Sequence, residues 1–190
     1  MSPYFYSIMK NPWQKISSKI IYKNQWLKFI EDKVIHPGGN KGIYSYIKKL
    51  PAAIIIPLTK KKEIYFVGQW RYTINKYSWE LPMGTAEKGE TLLKSAKREL
   101  LEEVNLKAKK WNKVGTFYFA NGALSQSAHV YLARDLSKSE GISDDTESFR
   151  IKKLTFSQIE KMIEENKIFD SDTITAYYKL KLFLKNENIK

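Results

Sequence analysis

Four carboxylates crowd one short stretch of this chain: Glu90, Glu99, Glu102 and Glu103. On a helix, Glu99, Glu102 and Glu103 stand at i, i+3 and i+4 and share one face. Like charges so placed repel, which costs helix stability unless something binds between them. A divalent cation turns the same crowding into a binding site. An all-oxygen donor set in a chain without cysteine suits Mg²⁺, with Mn²⁺ as the alternative, rather than zinc. A second acidic group, Asp144, Asp145 and Glu147, lies in the run GISDDTESFR at 141–150.

The elements around these residues must hold them still. A helix is expected from about Glu90 to Val104, with Leu93, Ala96, Leu100 and Val104 as its buried stripe and the glutamates turned elsewhere. Asn105 follows its end, where a left-handed residue is wanted and asparagine is second only to glycine. Ahead of the helix, 52–58 reads AAIIIPL, a continuous apolar run that fits a strand buried on both faces. Strands are also expected at 64–70 and 79–81, then at 114–119, 127–134 and 149–155, with helices at 155–166 and 172–184. Nearer the start, 13–22, 25–35 and 42–49 are rich in Ile, Tyr, Trp and Val. Turn signals at Lys23-Asn24 and Pro37-Gly38-Gly39-Asn40 separate them, so they read as an antiparallel meander. The whole is an α/β chain with a mixed sheet between helices.

Composition narrows the function classes. With 190 residues, 43% of them hydrophobic and 14% aromatic, the chain can bury a core and is not disordered. No apolar run reaches the roughly 20 residues of a membrane span. The first fifteen residues lack the apolar centre of a signal peptide. Absence of cysteine agrees with a soluble, cytoplasmic protein. The formal net charge is +13, carried mainly by lysines spread along the chain, with arginine only at 71, 98, 134 and 150. Base reading favours arginine, so no specific nucleic acid is expected as a partner. A basic surface does attract anionic phosphates.

From Gly84 to Leu106 the chain resembles the Nudix box, G-x5-E-x7-R-E-U-x-E-E-x-G-U with U apolar. Gly84, Glu90, Arg98, Glu99, Leu100, Glu102, Glu103 and Leu106 fall in register, and Asn105 stands in place of the second glycine. The resemblance implies a Nudix-type α/β/α sandwich over 49–190. Residues 1–48 would then be an added N-terminal β meander, which in the ADP-ribose and nucleotide-sugar pyrophosphatase branch pairs two subunits, so a homodimer is expected. It further implies Mg²⁺-dependent hydrolysis of the pyrophosphate bond in a nucleoside diphosphate linked to another moiety. Products would be a nucleoside monophosphate and a sugar phosphate. Glu99, Glu102 and Glu103 would hold the metal with the Met83 carbonyl, and Glu103 would be essential to catalysis. Gly84, Glu90 and Arg98 would hold the loop and orient those carboxylates. In the later acidic loop, Asp145 would position the water and Glu147 would join the metal, with Asp144 or Glu147 as the alternative base.

Substrate contacts follow from the same likeness. Gln69-Trp70-Arg71-Tyr72 resembles the branch's Gln-aromatic-Arg-Tyr run, in which the arginine grips a phosphate or ribose and an aromatic ring stacks on a base. Glu80 occupies a position that contacts substrate or metal there. The segment FYFANGALS at 117–125 has Asn121 where ADP-ribose hydrolases have proline. A nucleotide sugar such as GDP-mannose therefore stands beside ADP-ribose as a substrate. Nucleoside triphosphates or dinucleoside polyphosphates are the other enzymatic reading, and a non-catalytic nucleotide- or RNA-binding module is the competing class. His36 and His129 are expected to be structural; His129 falls on a strand and lacks a partner histidine at ligand spacing.

Overall fold

The computed structural model describes residues 10–139 and 150–187. The chain divides into two compact units, Met1–Lys49 with Ala120–Ser125, and Leu50–Phe119 with Gln126–Lys190.

The first unit is the meander β1 (Gln14–Lys23), β2 (Lys28–Ile35) and β3 (Lys41–Lys48), paired antiparallel in that order. Its turns are made by the residues expected. Asn24 Oδ1 accepts from the Trp26 and Leu27 backbone N–H groups, both at 2.9 Å, and Gly39 takes a φ of 89°. The segment 120–125 returns along β3, with Ile47 N donating to Ala123 O at 2.8 Å and Ser125 N to Ile47 O at 2.9 Å. Tyr44 Oη donates to the Gly122 carbonyl at 2.8 Å. All ten residues of β1 are exposed, including Ile16, Ile20, Ile21 and Tyr22.

The second unit is built on β4 (Ala52–Pro57), every residue of which is buried. Because strand side chains alternate, Ile54 and Ile56 enter one core and Ala53 and Ile55 the other. Full burial of each isoleucine contributes about 2 kcal/mol. A four-stranded mixed sheet runs β7 (Met83–Thr85), β4, β9 (Ser127–Lys138), β8 (Leu106–Tyr118), with β4 and β9 parallel. An antiparallel sheet runs β10 (Arg150–Thr155), β5 (Glu63–Arg71), β6 (Lys76–Glu80). Helix α1 (Leu92–Val104) packs Ala96, Leu100 and Val104 on the Ala53/Ile55 side. Helices α2 (Phe156–Glu164) and α3 (Ser171–Glu187) pack Ile159, Ala176, Tyr177 and Leu180 on the Ile54/Ile56 side. Helices thus cover both faces, which is the expected α/β/α sandwich.

Three local expectations need correction. Helix α1 begins at Leu92, not Glu90, because Thr91 is the N-cap and accepts from Lys94 N at 3.3 Å. Leu93 is exposed, whereas Ser95, Glu99 and Glu103 are buried with Ala96, Leu100 and Val104. The 3.6-residue period seats Glu99 beside Leu100 and Glu103 beside Val104, so the glutamates border the core instead of facing away from it. Strand β8 starts at Leu106 and includes the lysines at 107, 109, 110 and 113. As the outer strand of its sheet it has a solvated side, where lysines are at home. The short strand β7 has no counterpart among the expected elements.

Asn105 adopts φ 55° and ψ 40°, and its backbone N–H reaches the Leu100 and Leu101 carbonyls. A residue with a larger penalty for that conformation loosens the helix end beneath Glu102 and Glu103. Asn105→Ala should lower stability by about 1 kcal/mol in urea unfolding, while Asn105→Gly should be neutral or slightly stabilising.

Candidate active site

Helix α1 organises this site because its carboxylates converge on one guanidinium. Arg98 Nε and Nη2 donate to Glu90 at 3.3 and 3.2 Å. Nη1 lies 2.7 Å from Glu99 Oε1 and donates to Glu102 Oε2 at 2.9 Å. Nη2 also reaches the Thr85 carbonyl at 3.4 Å. A planar group with five donors serves several acceptors at once, which a lysine cannot do. Burial works against the Arg98 charge, but the Glu90 hydrogen bond and the charges of Glu99 and Glu102 outweigh it and raise its pKa. Burial likewise pushes the Glu90 carboxyl up, yet hydrogen bonds from Arg98 and the Glu87 backbone bring it below its ordinary value. Glu90 thereby pins the loop leading to the Thr91 cap.

Strand β7 forms the other wall. Met83 N–H donates to Glu103 Oε2 at 3.1 Å. A Cβ built on Gly84 would land on the Glu99 carboxylate. Any larger residue would therefore push the Glu99 carboxylate aside, and close approach rather than a left-handed φ is what favours glycine here. Glu99 and Glu103 are 9% and 7% exposed, whereas the Glu102 side chain is 40% exposed. Two carboxylates one helical turn apart, both nearly buried, oppose a backbone strand.

This donor set fits a hard cation, because it offers only oxygen and keeps the carboxylates close to a backbone strand. Among the described residues, no three acid or histidine side chains stand placed to share an ion. Arg98 holds Glu99 and Glu102 instead, so a cation at this position would compete with that guanidinium. Asp144, Asp145 and Glu147 lie outside the described residues.

The remaining expected residues fall on β5 and β6. Strand alternation puts Gln69 and Arg71 on one side and Trp70 on the other. Trp70 is 60% exposed and its Nε1 donates to Asn75 Oδ1 at 3.2 Å, and Tyr72 is exposed. Arg71 is paired in bidentate fashion with the buried Glu80, Nε lying 2.9 and 3.1 Å from its two oxygens with Nη2 on Oε2 as well. That hydrogen bond outweighs burial and raises the Arg71 pKa.

Arg71 and Glu80 line a cavity of about 500 Å³ that Met83 also borders. Its far side is Phe169, Asp170, Ser171 and Asp172, at the start of α3. These acids are absent from the expected set, where 172 marked only a helix start. No spacing rule links residue 71 or 80 to residue 172, so only the folded chain juxtaposes them. Asp170 Oδ2 caps α3 by accepting from Thr173 N at 2.8 Å. Burial, then the Asp170 and Glu80 charges, push Asp172 up to about 6. Its folded pKa exceeds the unfolded 3.8, so it favours folding below that value and loses this contribution as pH rises through 6.

The chain can now be compared with known proteins. The NUDIX domain profile matches residues 48–176, and the nucleoside diphosphate sugar hydrolase N-terminal domain profile matches residues 13–47. The methanol dehydrogenase activator of Bacillus methanolicus is 30% identical over 169 residues, 88% of this chain and 91% of its own. An ADP-ribose pyrophosphatase of Bacillus subtilis is 29% identical with the same coverage. One from Mycobacterium tuberculosis is 31% identical over 128 residues, covering 67% of this chain and 62% of its own. A crystal structure of an ADP compounds hydrolase superposes with a TM-score of 0.81 at 16% identity, covering 92% of this chain and 95% of the other. That likeness is one of fold.

Gly84→Ala separates the site from the scaffold. The Glu99 carboxylate is the flexible end of a side chain and can move aside, so stability should change by less than about 1 kcal/mol. If Glu99 is a metal ligand, as the resemblance implies, the variant should lose about 10²-fold in turnover. Urea unfolding beside a hydrolysis assay checks both halves.

Proposed function

The chain belongs to the NUDIX family, and from that premise we propose that it hydrolyses the pyrophosphate of ADP-ribose in the presence of Mg²⁺. Water attacks one phosphorus of the bridge, the bridging oxygen leaves with the other, and the products are AMP and ribose 5-phosphate. The observation that carries this reading is the pair Glu99 and Glu103, buried one turn apart against Met83 and Gly84. A divalent cation, when bound, neutralises phosphate charge and lowers the pKa of a bound water. Glu99, Glu102 and Glu103 would hold it, with the Met83 carbonyl and Glu147. Arg98 and Glu90 fix the carboxylates in orientation from the protein side. Asp145 would take the proton of the attacking water, with Asp144 or Glu147 in its place as the alternative. Arg71, Gln69 and Glu80 would meet the substrate beyond the diphosphate, with Trp70 or Tyr72 against a base.

A second substrate class has its own support. The N-terminal match is to a domain of nucleoside diphosphate sugar hydrolases, and Asn121 replaces the proline of ADP-ribose hydrolases. Nucleotide sugars such as GDP-mannose therefore belong in the same assay. The same N-terminal unit would serve as the contact between two copies in a homodimer, through the exposed Ile16, Ile20, Ile21 and Tyr22 of β1.

In a screen of ADP-ribose, nucleotide sugars, dinucleoside polyphosphates and triphosphates with Mg²⁺, ADP-ribose should be split fastest. Glu103→Gln should reduce kcat by at least about 10²-fold. Turnover equal to wild type would remove Glu103 from the metal set. Light scattering on the full chain should give the mass of a dimer, and Ile16→Lys with Ile20→Lys should give a monomer. A wild-type monomer would refute the dimer.

A further inference from the structure

A separate cavity, of about 510 Å³, lies between the solvent side of α1 and the start of β8. Lys94, Lys97 and Arg98 line it from the helix, and Lys107 and Trp111 from the strand. Lys94 and Lys97 stand at i and i+3, so their ammonium groups share one face and repel. None of the three lysines is in an ion pair among the described residues. Glu87 and Glu90 also border the cavity. Glu90 is paired with Arg98, so three lysines face Glu87 alone and positive charge is in excess. The diphosphate reaction does not use this face, because Glu99 and Glu103 turn toward β7. Lys94 and Lys97 fall among the unspecified positions between Glu90 and Arg98 in the box, so that motif does not account for them.

The walls define the class of ligand. Lysines from two elements around one hollow suit a group with several anionic oxygens, as a phosphate has. Leu101, Ala108 and Trp111 supply an apolar wall beside them. Trp111 Nε1 donates to the Ala108 carbonyl at 3.1 Å, which ties the ring to its own strand. A fixed indole next to ammonium groups fits a planar base carried on phosphates. An inorganic anion alone would leave the apolar wall uncovered. The volume lies within the range of small-molecule sites, about 300–1,000 Å³, which suits one nucleotide rather than a strand.

We propose that Lys94, Lys97, Lys107 and Trp111 form a second site, apart from the pyrophosphatase centre, that binds a nucleoside phosphate through its phosphates and its base. It does not depend on which diphosphate the chain splits, or on whether it splits one. Arg98 and Glu90 border both this cavity and the carboxylates of α1. An occupant therefore lies against the clamp that holds Glu99 and Glu102.

The test uses the full chain in EDTA, where no metal supports diphosphate binding at Glu99 and Glu103, with ADP as the probe. Titration calorimetry gives the affinity. Proton–nitrogen spectra follow the five tryptophan indoles, and Trp111→Phe marks the Trp111 signal. ADP should shift that signal. Lys97→Glu with Lys107→Glu should weaken ADP binding by at least about 10-fold, the scale of losing a charged hydrogen bond. Trp70→Ala and Arg71→Ala should leave it unchanged. Loss on Arg71→Ala with none on the lysine variant places ADP between β5 and β6 and overturns the site. Inorganic phosphate bound as tightly as ADP removes the base contact and overturns it too. So does a single-stranded ten-nucleotide RNA that binds over about 100-fold tighter than ADP and depends on the same lysines, since the face then belongs to a strand. Failure of wild type to bind ADP overturns it outright. The three lysines are exposed, so their replacement leaves the core intact, and circular dichroism checks each variant. Hydrolysis of ADP-ribose is assayed separately with Mg²⁺, so the two readings stand or fall independently.

Discussion

Everything at the reactive end of this protein depends on one guanidinium holding three carboxylates. Glu90, Glu99 and Glu102 meet at Arg98. Without it, Glu99, Glu102 and Glu103 would repel along α1, and the loop before the helix would lose its tie to Glu90. The clamp has an electrostatic logic. The positive charge offsets the repulsion among the carboxylates it touches, by hydrogen bonds to Glu90 and Glu102 and a close contact with Glu99. Because the guanidinium stays charged at any relevant pH, the arrangement is insensitive to protonation of the arginine. A lysine at 98 would satisfy fewer of these acceptors at once.

The clamp works only because the scaffold is rigid where it matters. Strand β4 is buried from end to end and pairs with β7 on one side and β9 on the other. Since β7 is fixed by β4, and α1 packs on the Ala53 and Ile55 side of the same strand, the approach of Gly84 to Glu99 is set by core packing. Loop chemistry alone would not give this precision. One apolar run thus positions the backbone that faces the glutamates and the helix that carries them.

What could be read from residue order follows the same division. Local rules found α1 because its signals are local: a 3.6-residue apolar stripe and asparagine in the left-handed position at its end, whereas the Thr91 cap that sets its start was missed. The buried character of β4 was equally plain from seven unbroken apolar residues. Strand β7 was not legible, because three residues carry no periodicity and their pairing partner lies thirty residues away. The early start of β8 was obscured by lysines that a central strand would not tolerate but an outer strand does. Burial of Glu99 and Glu103 escaped notice because the stripe was drawn from apolar residues alone. The acids at 170 and 172 reach Arg71 and Glu80 only through the packing of α3 on the sheet, which no motif encodes.

The two acidic groups also differ in a way that bears on their uses. Beside α1, carboxylates are paired with Arg98, and Glu90 is held below its ordinary pKa. At the start of α3 the opposite holds: Asp172 is desolvated and faces Asp170, and its charge is resisted. Although the chain has a net charge of +13, Asp172 makes no salt bridge among the described residues, and the Arg71 charge only partly offsets its burial. An alanine or asparagine there would relieve the remaining cost.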